Sequence, residues 1–167
     1  MKKVGTEVLN KLKSDSQQCQ RLRINYNIHS ELSDPVQRMF NVIQPESYVQ
    51  PHRHPGQDSW ELFLLMEGEG LVLSFDEQGV VLDRVHLHMD GIRMAEIPVA
   101  TYHTILALVP NSVFFEIKRG PYDPSIAKDF AAWAVPEGHP KQLRTWRWFC
   151  QAQIGDRHCP EDKDRLL

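Results

Sequence analysis

Between Tyr48 and Arg119 the chain reads as short apolar runs separated by turn residues, with no stretch long enough for a helix between them. Tyr48 to His54 opens the series. Glu61 to Met66 ends at Gly68 and Gly70, Leu71 to Phe75 at Asp76-Glu77-Gln78-Gly79, and Val80 to Met89 at Asp90-Gly91. Arg93 to Ile97, His103 to Val109 and Val113 to Lys118 follow, the last two joined by Pro110-Asn111-Ser112. Parallel strands need a crossover of about a dozen residues or more. No such crossover is available, so βαβ winding is excluded. An all-β, antiparallel sandwich or barrel is expected.

The flanks read differently. Val8, Leu9 and Leu12 have helical spacing and Thr6 stands where a cap belongs, so a short amphipathic helix is expected first. Leu22, Ile24, Tyr26 and Ile28 then alternate with Arg23, Asn25, Asn27 and His29, the period of a half-buried strand. Beyond Gly120-Pro121, Pro124 to Trp133 reads as a short helix with proline at its start. The closing Trp146-Arg147-Trp148-Phe149 is too aromatic to stay solvated. It is expected to cover the barrel or a second subunit, which makes a homodimer the expected assembly. The division read from the sequence is a helix-and-strand extension over 1–35, a barrel over 36–120, and a helix and tail over 121–167 packed on it, one domain overall.

Charge narrows the partners. Nineteen Lys and Arg face 22 Asp and Glu, a formal net charge of −3. Such a chain has no general electrostatic reason to hold nucleic acid or an anionic membrane. No apolar run approaches membrane-helix length, and the N-terminus lacks the apolar core of a signal peptide. The cysteines, Cys19, Cys150 and Cys159, are few and widely spaced, which reads as reduced thiols in a cytoplasmic setting and not as a disulfide framework.

The chemistry gathers on histidine. His52-Arg53-His54 puts two imidazoles on one face of a strand, because residues i and i+2 point the same way. Two nitrogen ligands held side by side suit a metal ion. Glu61 opens the next strand and His103 stands at the start of a later one. Three imidazoles and a carboxylate leave open positions on an octahedral ion, the condition for catalysis at a metal. Nitrogen-rich ligation without thiolate suits one divalent Zn, Fe, Mn, Ni or Co ion. His86-Leu87-His88 is an internal control: Val81, Val85, Leu87 and Met89 take the inward face, which sends His86 and His88 outward. Arg38 and Arg53 are candidate clamps for an anionic substrate group. Cys150, His158 and Cys159 form a weaker zinc alternative.

The stretch Pro51-His52-Arg53-His54, Trp60-Glu61-Leu62-Phe63 and Gly68 resembles the first cupin motif, and Gly91 with Pro98-Val99-Ala100-Thr101-Tyr102-His103 resembles the second. Gln44-Pro45, Tyr48 to Pro55, Val113 to Lys118 and Gly120-Pro121-Tyr122 further resemble WbuC-type cupin-fold metalloproteins, bacterial proteins associated with surface-polysaccharide gene clusters. The resemblance implies a small antiparallel jelly-roll barrel with helical additions at both termini, and a metal held by His52, His54, His103 and Glu61. It also implies an N-terminal strand edging the site, which brings in His29 beside Asn27. The implied ligand is a small polar metabolite, such as a sugar or sugar-nucleotide. The reaction expected of such a metal centre is that of a metal-dependent isomerase or epimerase, or of an iron-dependent dioxygenase; the alternative is a ligand-binding or sensor protein without catalysis. The sequence departs from the cupin pattern in places. Six residues separate His54 from Glu61, a longer loop than usual, so that Gln57 or Asp58 becomes an alternative group near the metal. Glu46 and Ala100 stand where glycine is usual, and Ala107 replaces the closing asparagine.

Overall fold

A computed structural model describes residues 1–56, 58–125 and 127–158. The chain forms two five-stranded antiparallel sheets packed face to face. The first holds β1 (Arg23–Asn27), β2 (Val36–Ile43), β9 (Ser112–Arg119), β4 (Glu61–Glu67) and β7 (Met94–Ile97), in that spatial order. The second holds β10 (Asp129–Phe130), β3 (His52–Arg53), β8 (Tyr102–Ala107), β5 (Glu69–Phe75) and β6 (Val81–His88). This is the expected all-β jelly roll. The two sheets face each other as a sandwich and are not hydrogen-bonded into a closed barrel.

Alternation along the strands divides the apolar residues into three layers. Val72, Ile105 and Phe114 meet Phe63, Leu65 and Leu87 between the sheets. Leu71, Leu73 and Phe75 on β5, with Tyr102 and Leu106 on β8, point out of the second sheet. There they meet Ala131, Val135 and Phe149 of the C-terminal segment. Every residue of β8 is therefore buried, although half of its side chains point away from the sandwich interior. On the outside of the first sheet, Leu12 of α1 (Thr6–Gln18) packs on Val42 and Val113, with Val8 and Leu9 beside it. The expected first helix is present, but its N-cap position is Gly5 and not Thr6, and no side chain caps it.

The C-terminal part corrects two expectations. The described residues of 124–133 form no helix. Asp123 accepts hydrogen bonds from the Ser125 N–H and hydroxyl at 2.9 and 2.7 Å, a local turn that competes with helix initiation. The chain then adds β10 to the free edge of β3. The helix comes later, as α2 (Gln142–Gln151). Its Phe149, with Trp146 and Trp148, covers the chain's own second sheet, which removes the aromatic tail as an argument for a second subunit.

Two glycines are required by close approach. A Cβ on Gly70 would lie 2.5 Å from the buried Phe114 ring, and one on Gly68, at φ +84°, would strike the Ser112 backbone at 2.8 Å. The two departures at usual glycine positions carry the opposite lesson. Glu46 and Ala100 adopt φ of 67° and 57°, the left-handed region that a Cβ disfavours. Replacing Ala100 with glycine relieves that strain at the cost of a more flexible unfolded chain. Ala100→Gly is expected to raise stability by roughly 0.5 kcal/mol, measured by urea unfolding. A loss of stability would show that the turn is not strained.

Candidate metal centre

Register assembles the site. β3 pairs with β8 so that His52 stands directly opposite His103. His54 follows on the same face just beyond β3. Glu61, the first residue of β4, reaches them from the other sheet. One donor atom from each of the four residues lies within 4.8 Å of every other. All four residues are buried, none more than 8% exposed. Glu61, the ligand put in question by the long loop, is thus inside the group. Asp58 is exposed and pairs with Arg119. Gln57 lies outside the described residues.

The donor set is built for a cation. The Nδ1 atoms of His52, His54 and His103 lie 2.9, 2.6 and 2.9 Å from the backbone carbonyls of Gln50, Ala127 and Thr101. A carbonyl only accepts, so each Nδ1 carries the proton, and in a neutral ring Nε2 is left as a lone pair. Nε2 of His54 and of His103 face Glu61 Oε2 at 3.2 and 2.7 Å. Lone pairs aimed at a carboxylate repel one another unless a positive ion lies among them. This group can therefore hold a divalent metal, and the residues match that role.

Electrostatics reinforces the ligand state. Burial, then the Lys128 charge, hold the His52 imidazole well below its usual range and keep it neutral. Burial alone would raise the Glu61 carboxyl; Lys118 and the facing imidazoles outweigh it and hold the group well below the usual carboxylate range. Lys118 lies 2.7 Å from Glu116 and 3.6 Å from Glu61, and Asn41 donates to Glu116 at 2.6 Å. Burial, with the Glu61 charge added, raises the Glu116 carboxyl against the pull of Lys118.

Beside the four residues lies a cavity of about 290 Å3 between the sheets, lined by His52, Glu61 and His103. That is the scale of a small metabolite. His29 lines it too. Arg38 and Arg53 do not. On β2 the alternate residues Gln37, Met39 and Asn41 face the cavity, which turns Arg38 to the other side, toward Asp34 at 3.2 Å. Arg53 alternates with His52 and points out of the second sheet. It pairs there with Asp129 and Glu77 at 2.7 and 2.6 Å, over the Tyr102 ring. The control pair behaves as expected in direction: His86 meets Glu69 at 2.5 Å outside the metal group, beside His88. Met89 is exposed and not inward, because β6 ends at His88. The alternative zinc set finds no support among the described residues. Cys150 is a free thiol, His158 is lodged among Trp133, Trp148 and Phe149, and Cys159 lies outside the described residues.

Sequence reasoning missed Glu116, Lys118, Asn41 and Lys128, all of which line the cavity. A signal for two of them was present: Glu116 and Lys118 alternate with Phe114 on one face of a strand that is otherwise apolar.

No curated protein matches the chain in sequence. In fold it is similar to CapF in complex with the inhibitor 3-isopropenyl-tropolone, with TM-score 0.53 and 21% identity over 64% of this chain and 31% of that one. It is also similar to the salicylate 1,2-dioxygenase of Pseudoaminobacter salicylatoxidans in complex with gentisate, with TM-score 0.57 and 10% identity over 77% and 37%. A third similar structure is oxalate oxidase in complex with the substrate analogue glycolate, with TM-score 0.53 and 13% identity over 68% and 57%. The chain thus spans about a third of the CapF chain, and these likenesses show the cupin fold alone. No helix among the described residues is long and apolar enough to cross a membrane. Residues 4–87, half of the chain, match the family described as "Domain of unknown function (DUF6016)", and the chain belongs to that family.

Proposed function

We propose that the protein is a cupin metalloprotein in which His52, His54, His103 and Glu61 hold one divalent Zn, Fe, Mn, Ni or Co ion, and that it acts on a small polar metabolite seated in the adjoining cavity. The observation that carries this reading is the convergence of three Nε2 lone pairs and a carboxylate, with every Nδ1 fixed on a backbone carbonyl. A bound ion would supply Lewis acidity toward a substrate carbonyl or hydroxyl pair. The chain's own residues do the rest. The backbone carbonyls orient the imidazoles, and Lys118 holds Glu61 charged and pairs with Glu116. Isomerase or epimerase chemistry on a sugar or sugar-nucleotide is the finer form of the proposal. It is supported by the WbuC-type resemblance of Gln44-Pro45, Tyr48 to Pro55, Val113 to Lys118 and Gly120-Pro121-Tyr122. A redox-active iron would instead support a dioxygenase.

Elemental analysis of protein purified without an affinity tag tests the reading. About one first-row metal per chain is expected. Chelation should lower the melting temperature, because an ion that binds only the folded chain stabilises it by mass action. An unchanged melting temperature after verified removal of the metal would count against a site built into the fold.

A further inference from the structure

The cations around the cavity are not equivalent. Arg21 and Arg23 both reach Glu137 at 2.8 Å, and Lys118 reaches Glu116 at 2.7 Å. Lys128 also lines the cavity, and among the described residues it has no carboxylate or hydrogen-bond partner. Its charge acts on His52, Glu61 and Glu116. Lys128 is itself exposed, so solvent meets its charge, whereas a second group on the wall is buried and has no partner. His29 is 5% exposed, and its Nε2 is buried without a partner. The other nitrogen fixes its protonation. His29 Nδ1 lies 3.0 Å from both the N–H and the carbonyl of Arg38, and that carbonyl also accepts from the Ile28 N–H at 2.7 Å. The Arg38 N–H can only donate, so with Nδ1 accepting from it Nε2 carries the proton, an unused donor on the cavity wall. A buried donor without an acceptor is costly, and a bound ligand that supplies the acceptor removes the cost.

We propose that the cavity takes a small carboxylate-bearing metabolite, whose carboxylate is received by Lys128 and His29 while its other polar groups face the His–Glu group. One unpaired cation and one neutral N–H match a singly charged carboxylate. A phosphate dianion brings a second negative charge, for which the wall has no further unpaired cation among the described residues. Lys118 and Glu116 balance one another, so a divalent ion beside Glu61 leaves the cavity net positive and favours an anion. The inference rests on the metal reading above, and it names Lys128 and His29 as the residues that select the ligand.

Calorimetric titration of the metal-loaded full chain tests it with three probes: L-malate and malate 4-amide, which share the 2-hydroxy-carboxylate end that faces the His–Glu group and differ in whether the far end offers Lys128 and His29 a carboxylate, and glycerol 3-phosphate. Malate is expected to bind at least about tenfold more tightly than the amide. Lys128→Met should weaken malate about tenfold or more and abolish the preference over the amide, and His29→Phe should weaken malate about fivefold. Metal content, measured alongside, should be the same in all three proteins. Equal binding of malate and its amide, an unchanged malate affinity in Lys128→Met, or tighter binding of the phosphate ester overturns the inference. If metal loads normally in such a case, the carboxylate inference fails alone. If no metal loads and malate binding still depends on Lys128, the metal reading fails and the anion site stands.

Discussion

Replacing His52 or His103 with alanine is expected to lower the metal content of the purified protein about tenfold or more, while His86→Ala leaves it unchanged. The first two residues face each other across the β3–β8 pair and contribute to the group whose donor atoms lie within 4.8 Å of one another. Each has its Nδ1 fixed by a carbonyl, so removing either ring removes a pre-oriented nitrogen and leaves the remaining lone pairs without a tetrad. His86 belongs to the same kind of HxH triplet, but it stands outside that group, engaged with Glu69. The comparison therefore tests placement and not merely histidine content. Elemental analysis of the untagged variants, with circular dichroism to confirm folding, is the measurement. Equal loss in all three variants would defeat the assignment, as would full metal content in His103→Ala.

The same contrast shows what was legible in the sequence. Two features made the His52, His54 and His103 group readable: the i, i+2 spacing on a strand, and a proline turn delivering a third imidazole. Both are local, so they survive in one dimension. The face of His86 was readable for the same reason, because Leu87 beside it is apolar. Lys118 and Glu116 were harder. Each is an ordinary charged residue until the register sets Lys118 opposite Glu61 and Glu116 opposite Phe63. That pairing joins residues on strands far apart in the chain. Lys128 was hidden further, since Pro124 to Trp133 has helical spacing and a proline start, yet the free edge of β3 and the Asp123 turn draw it into an extended path. Arg38 and Arg53 failed as anion clamps by alternation alone: each sits one position away from a cavity-facing residue. The strained turns at Glu46 and Ala100 were visible only as departures from a pattern, and the backbone shows that the left-handed conformation was kept without the glycine.

Truncating Phe149 to alanine is expected to cost about 3–5 kcal/mol and to lower the melting temperature by on the order of 10 °C. Phe149 lies on α2, in a stretch the sequence offers only as an aromatic tail, yet its side chain is 0% exposed. Its ring lies 5.6 Å from Phe75, 6.1 Å from Tyr48 and 5.7 Å from His158, at the centre of the layer outside the second sheet. Removing it leaves a cavity that Tyr48 cannot fill, because the Tyr48 hydroxyl is held by the Val135 carbonyl at 2.8 Å. Arg147→Ala is the control on the same helix: the side chain is exposed and reaches Glu46 only at 3.9 Å, so its loss should change stability by less than about 0.5 kcal/mol. The layer around Phe149 also lies behind β8, on the face that carries Tyr102, whereas His103 points the other way into the sandwich. Metal content per folded chain should therefore be unchanged in Phe149→Ala. Urea unfolding at fixed metal concentration gives the first quantity and elemental analysis the second. A cost below about 1 kcal/mol would mean that α2 is not docked on the sheet. A loss of metal from the folded variant would mean that the outer layer, and not only the β3–β8 register, sets the positions of the imidazoles.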